Sequence, residues 1–378
     1  MKRLIVSLFT LITLQATATE IPVFRYALER WIPEPYALVI THHDDLDEDQ
    51  KKLLSDLTEV SETYSSEAYY GAANISVKAI NLAKDLADIS ERDQTYINKA
   101  FNNTFSETPQ FALISPSPEA TVWIDDFNAD NLKYLINSPA RQAITHHIMR
   151  GITGVWLMVD GPDPAVNDNI EKDLRKYSAS IKDEMHEPRI GDSYKYGRHY
   201  IESKIPLLLE FEVIRIRVDN PKEKCLLQIL KNPEVAKSLA IKPEEIGVKP
   251  LAIPLFGRGR SFYGLSGDDI KEENILSFCS YLLGNCSCQV KMQNPGIDFL
   301  FDAKWLLMVA GEVEVPALPE PSEMEAPEPK VEDNPTGSGC ETACKPCPFG
   351  KYRYLIAGIL LIALISLFVI YRKKRKVQ

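Results

Sequence analysis

Apolar positions change their period several times along the chain, and each change marks an element. The run "YALVITHH" (36–43) has strand character, and "DEDQKKLLSDLTEV" (47–60) then shows helical spacing. "NISVKAINL" (74–82) reads as a second strand. A polar helical segment leads to "PQFALISP" and "ATVWIDDF", two short strands around a Pro/Ser turn. "NADNLKYLINSPARQAITHHIMRG" predicts helix, a break at Pro139 and helix again. The order is βαβ, then ββ, then α.

The pattern then restarts. "GVWLMVDG" (154–161) is a buried-strand run ending in a turn, and "NDNIEKDLRKYSASIKDEM" puts Ile170, Leu174 and Tyr177 on one face of an amphipathic helix. In "PLLLEFEVIRIRVD", Ile214, Ile216 and Val218 alternate with Arg215 and Arg217, as in a half-buried strand. "PKEKCLLQILKNPEV" is helical. "PLAIPLFGRGRSFYGLSG" reads as a strand pair around a Gly-rich turn, and "KEENILSFCSYLLG" as a helix ended by Gly284. Pro109 leads into the hairpin of one half and Pro250 into that of the other. A βαβ unit followed by ββα, with proline before the hairpin, resembles the thioredoxin fold, in which that proline is normally cis. The resemblance implies an α/β chain of two thioredoxin-like domains in tandem, over 19–150 and 151–311. The plainer alternative is that both prolines simply begin strands.

The two ends follow a different logic. Lys2 and Arg3, the apolar run Leu4 to Leu14 and Ala16-Thr17-Ala18 have the layout of a secretory signal peptide, residues 1–18. Residues 312–338 are rich in Pro and Glu without an apolar period, and predict a disordered acidic stalk. A Cys-rich juxtamembrane segment (339–353) precedes an uncharged apolar run, 354–371. At about 1.5 Å per residue that run spans a hydrocarbon layer as one transmembrane helix. Five basic residues crowd the tail (372–378), which places it in the cytoplasm. The expected protein is single-pass in the cell membrane, with its ectodomain extracytoplasmic, in a periplasm.

Charge narrows the partners. The formal net charge is −10, and without the two cations of the leader and the five of the tail about −17 remains outside the membrane. No nucleic acid is expected as a partner.

A redox-active thioredoxin-like domain needs C-x-x-C where its first strand meets a helix N-terminus, because the helix dipole lowers a thiol pKa. The corresponding stretches, "THHDDLDED" and "VDGPDPAVND", hold no cysteine, so disulfide exchange there is excluded. All seven cysteines lie later in the chain. Cys225, Cys279, Cys286 and Cys288 are disulfide candidates in an oxidising compartment. The alternative is that Cys286 and Cys288, spaced C-x-C, serve an atypical thiol-disulfide oxidoreductase or bind metal. Cys340, Cys344 and Cys347 have the C-x₃-C-x₂-C spacing that resembles the iron–sulfur triad of radical-SAM enzymes. Only about 30 residues follow them, most of them in the apolar run, so no barrel can. These thiols read instead as a juxtamembrane staple that invites a disulfide-linked homodimer. They also resemble a processed C-terminal sorting signal of bacterial exported proteins.

His42 and His43 precede Asp44 and Asp45 at a strand end, donors that suit a divalent metal, although the acids also serve a helix start. Arg258 and Arg260 on the Gly-rich turn offer forks for a carboxylate or phosphate ligand, or are simply solvated. His146 and His147 are consecutive on a helix and point about 100° apart, so they do not chelate as a pair. No G-x-S-x-G, Walker loop or H-E-x-x-H occurs, and no catalytic constellation or cofactor is expected.

Several strings, "FRYALERWIPEPY", "NSPARQAI" with "GVWLMVDG", "PLFGRGRSFYGLSG" and "CSCQVKMQNPGIDFL", resemble a family of bacterial exported single-pass membrane proteins over about residues 22–305. The resemblance implies no activity. The expectation is a membrane-anchored binding or assembly module of the cell envelope with a protein partner, not an enzyme.

Overall fold

In the computed structural model the described residues are 21–325, apart from 63, 66–67, 70–72, 85–89, 185–200, 202, 285–290 and 292–295. Strands β1 (Tyr36–His42), β2 (Ile75–Asn81), β3 (Gln110–Pro116) and β4 (Glu119–Asp126) form one sheet in the order β2-β1-β3-β4. β1 and β2 are parallel, while β3 is antiparallel to β1 and β4 to β3. Strands β5 (Ile152–Val159), β6 (Leu208–Ile216), β7 (Leu251–Leu255) and β8 (Leu265–Ser266) form a second sheet with the same plan. β5 and β6 are parallel, β7 is antiparallel to β5, and β8 to β7. The element order anticipated from the two periods is thus present twice.

Strand period 2 sorts the side chains into layers. Tyr36, Leu38 and Ile40 of β1 face a core shared with Val155, Leu157 and Val159 of β5 and with Leu251, Ile253 and Leu255 of β7. Val39, Ala112 and Ile114 face the other way, onto helix α3 (Glu91–Ala100) through Ile97 and Ala100. Helix α2 (Glu48–Glu62) adds Leu57 to the shared core. The far side of the second sheet carries Trp156, Met158 and Ala252. It is covered by α5 (Pro164–Glu184) and α8 (Glu272–Leu283).

The halves also trade elements across this shared core. Helix α4 (Pro139–Met149) closes the first half yet packs on β5 and β6. Helix α6 (Lys224–Lys231) belongs to the second half yet packs on β4, and α7 (Pro233–Ser238) follows it. Glu223, just before α6, reaches the start of α4. Its carboxylate accepts from Ser138 Oγ at 2.6 Å and from the Ala140 backbone N–H at 2.9 Å. Helix α1 (Val23–Arg30) is at the start of the chain but buries Val23, Phe24 and Ala27 in the core beneath α8. Arg25 fixes it there, donating to Glu29 Oε1 at 2.9 Å and Ser203 Oγ at 2.7 Å. At the other end, residues 297–305 return to the first sheet. Asn74 holds them, donating to the Phe299 carbonyl at 3.1 Å and accepting from the Phe301 N–H at 2.9 Å. The unit containing both sheets runs without division to Pro327.

Several expectations need correction. The Gly-rich turn does not join a simple strand pair: Arg260–Ser261 pairs with Ile297–Asp298, and β7 takes Leu265–Ser266 as its partner. Ser117–Pro118 is the cis peptide among the described residues, so Pro109 and Pro250 follow trans bonds. Residues 312–325 open the Pro/Glu stretch but lie against the body. Gln142 and His146 of α4 bond the Ala317 and Pro316 carbonyls at 2.9 and 2.8 Å. Proline-rich chain has carbonyls to offer, and here the helix surface accommodates them.

Candidate functional site

β5 is buried along its whole length because both its faces are covered, and such a strand delivers its end to a fixed point. That end is Asp160. Arg215 from β6 clasps its carboxylate with two bonds, Nε to Oδ1 at 3.0 Å and a terminal nitrogen to Oδ2 at 2.9 Å. The same guanidinium donates to Asp168 and Glu171 of α5, at 2.8 and 3.0 Å. The hydrogen bond to Asp160, first among these contacts, holds the Arg215 pKa above its ordinary value.

The chain then turns through Gly161, Pro162 and Asp163 into α5. Asn167 is buried and clips the turn from below. Its Oδ1 accepts from the Gly161 N–H and its Nδ2 donates to the Gly161 carbonyl, both at 2.9 Å. Asp163 Oδ1 caps the helix by accepting from the Ala165 N–H at 2.9 Å. Gly161 is required here, because a Cβ would stand 2.9 Å from the Pro250 ring.

Pro250 belongs to the opposite wall, Val248-Lys249-Pro250, which enters β7. Glu245 anchors that wall, accepting from Ser266 Oγ at 2.7 Å, Lys249 Nζ at 3.0 Å and Lys242 Nζ at 3.2 Å. These bonds, Ser266 foremost, pull the Glu245 pKa down to about 2. Between the walls is a cleft of about 320 Å³. Its lining is mainly apolar, from Pro162, Val166, Ile170, Val248 and Pro250, with Asp163, Lys249 and Asp268 at the rim. Val248 is 63% exposed and Val166 43%; the other exposed large aliphatics among the described residues, Val315 and Leu318, lie in the Pro/Glu stretch away from the cleft lining. Exposed apolar walls around a preformed cleft suit binding.

A larger trough of about 800 Å³ runs along β4, bordered by Trp123, Asp125, Lys224 and Gln228. Its central polar groups, Asp125, Trp123 and Lys224, are already committed to one another. Asp125 accepts from Lys224 Nζ at 2.8 Å, Trp123 Nε1 at 3.1 Å and Asn131 Nδ2 at 2.9 Å. Size alone therefore does not make it the better candidate.

The residues singled out from sequence fall elsewhere. Arg258 and Arg260 are 4% and 6% exposed, not solvated on a turn. Arg258 donates to the Leu28 and Glu29 carbonyls, both at 2.8 Å, and so closes the C-terminal end of α1. Arg260 pairs with buried Asp298 at 2.8 Å. His42 Nδ1 bonds the Asp44 carbonyl at 2.7 Å, and Asp45 pairs with Lys84 at 2.6 Å. His43 and Asp44 join no ligand set with them, and no group of three or more metal-binding side chains occurs among the described residues. Cys225 and Cys279 are free, buried and in separate cores, so no bridge links these two. Burial pushes both thiols up, Cys279 to about 12. Cys286, Cys288, Cys340, Cys344, Cys347, the leader and the apolar run 354–371 lie outside the described residues. Among the described residues no helix is long and apolar enough to cross a membrane.

Sequence reasoning noted "VDGPDPAVND" only as the stretch where a C-x-x-C would sit, excluded disulfide exchange there, and named neither wall of the cleft as a candidate site. The signal for Val248-Lys249-Pro250 was Pro250 itself, which aligns the start of β7 with the end of β5. Comparison of the chain with protein-family models, curated proteins and solved structures finds no match.

Proposed function

We propose that this protein is a membrane-anchored, extracytoplasmic binding module built from two interlocked thioredoxin-like units, with the cleft at the end of β5 as its recognition site. The shared strand plan of the two sheets supports the thioredoxin-like reading. The observation that carries the function is the cleft's lining. Where a redox unit of this kind would present thiols, Gly161-Pro162-Asp163 and Val166 present an apolar wall facing Pro250. The leader, the apolar run 354–371 and the basic tail support export and anchoring. Binding at such a cleft follows the rule that ligands gather at the carboxyl ends of strands in α/β sheets.

The test is capture from membranes of the tagged full chain beside a V166D/V248D variant. Both valines are exposed, so the variant keeps its fold. A partner recovered with the wild type and lost with the variant is the expected result. Equal recovery with both proteins overturns the cleft as the recognition site.

A further inference from the structure

We infer that the occupant of this cleft is an extended polypeptide segment carrying an aliphatic or proline side chain beside a lysine or arginine. The inference rests on the cleft being the recognition site. Its substance is the charge left over at the rim. Three charged side chains border the cavity, Asp163, Lys249 and Asp268. Lys249 is committed to Glu245 at 3.0 Å, and Lys242 shares the same carboxylate at 3.2 Å, so the three side chains together carry one positive charge. Asp163 spends one oxygen on the α5 cap, while neither it nor Asp268 enters an ion pair among the described residues. Lys249 also feels the charge of Asp268, yet two carboxylates against that one positive charge leave the border of the apolar cavity net negative.

The wider field has the same sign. The exported part of the chain carries about −17, which repels an acidic ligand and draws in a basic one. A second copy of this chain is disfavoured on the same ground. A cavity of about 320 Å³ is at the small end for cofactor pockets. It holds a side chain or two, while exposed Val166 and Val248 extend the apolar surface beyond it. A ligand that fills the cavity and also covers both valines is longer than the cavity, as an extended peptide is.

Isothermal titration of the full chain in nonionic detergent tests this with three blocked peptides, acetyl-Gly-Leu-Pro-X-Gly-amide with X as Lys, Gln or Glu. A solvated ion pair is a modest effect, so the Lys peptide should bind about five- to tenfold more tightly than the Glu peptide, with Gln between. That margin should shrink at high salt and in a D163N/D268N variant, whose amide oxygen at position 163 can still cap α5. V248D should abolish binding of all three. Equal affinities that V248D still abolishes would leave the cleft as the site and overturn the charge inference. No binding, or binding indifferent to V248D, would overturn both. Isopentylamine binding as tightly as the Lys peptide would overturn a polypeptide as the occupant class.

Discussion

Replacing Asn74 by alanine should damage both halves of the two-sheet unit at once. Asn74 lies at the entry to β2, where one side chain serves two returning segments. Nδ2 donates to the Glu34 carbonyl at 3.0 Å and the Phe299 carbonyl at 3.1 Å, and Oδ1 accepts from the Phe301 N–H at 2.9 Å. Phe299 and Phe301 are fully buried, so water cannot replace the lost partner. Each orphaned buried group costs about 1–3 kcal/mol, which gives about 2–6 kcal/mol for the two, with Glu34 adding less at its wetter position. Total stability is on the order of 5–15 kcal/mol, so the loss is a large fraction of it. Urea unfolding of residues 21–327, followed by tryptophan fluorescence, reads the effect across the molecule. Trp123 and Trp305 report the shared core, and Trp31 and Trp156 the core beneath α8. One transition is expected, its midpoint lowered by about 1 M at the slopes typical of urea. The exposed control N169A, on α5, should stay within about 0.5 kcal/mol of wild type. An N74A variant as stable as that control, or two separate transitions in the wild type, would refute the claim that the returning segment locks the halves together.

Two further outcomes follow from buried groups. Burial raises the thiol pKa of Cys225 and Cys279, so iodoacetamide at pH 8 should label neither in the native protein, while urea without reductant should expose both. Labelling that requires a reductant would show that they are bridged after all. Glu223 is raised above the ordinary carboxyl range, first by burial and against the bonds from Ser138 and Ala140. A raised folded-state pKa contributes stability that is complete below the unfolded value and is lost as pH climbs through the folded one. The melting temperature of the wild type should therefore fall relative to E223Q as pH rises above the ordinary glutamate value of 4.5. Melting curves that stay parallel from about pH 4 to 7 would remove the buried carboxylate from the account.

Element order was legible in the sequence because it depends on local period, and the two βαβ-ββα runs needed no long-range information. What the period could not show was which half each element serves. Helix α1 is amphipathic in either setting, and contacts distant in sequence assign it to the second half: Arg25 and Glu29 to Ser203, Arg258 to the Leu28 and Glu29 carbonyls, and its apolar face beneath α8. The same blindness affected Arg258 and Arg260. Gly-rich sequence around an arginine predicts a solvated turn when the nearest apolar neighbours are counted along the chain. Here the neighbours come from α1 and residue 298, and both guanidinium groups are internal donors. The cleft was half legible for a related reason: one wall is continuous with a strand the eye can find, and the other arrives from about 90 residues away.

The two halves share a strand plan but not a surface chemistry, and this difference localises function. At the end of β1 the chain is polar. Asp47 and Gln50 cap α2 reciprocally, with Gln50 N to Asp47 Oδ1 at 2.8 Å, His42 turns back onto the Asp44 carbonyl, and Asp45 pairs with Lys84. Those side chains satisfy one another and leave little for a ligand to gain. At the end of β5 the equivalent positions are Pro162, Asp163 and Val166. Here the polar work is done underneath, by Asn167 and the Arg215 clasp, so the apolar groups are left facing outward. An exposed valine that packing could have buried is costly to keep in water, at about 25 cal/mol per Å² of apolar surface. The proposed partner would cover two of them, on opposite walls of one preformed cleft.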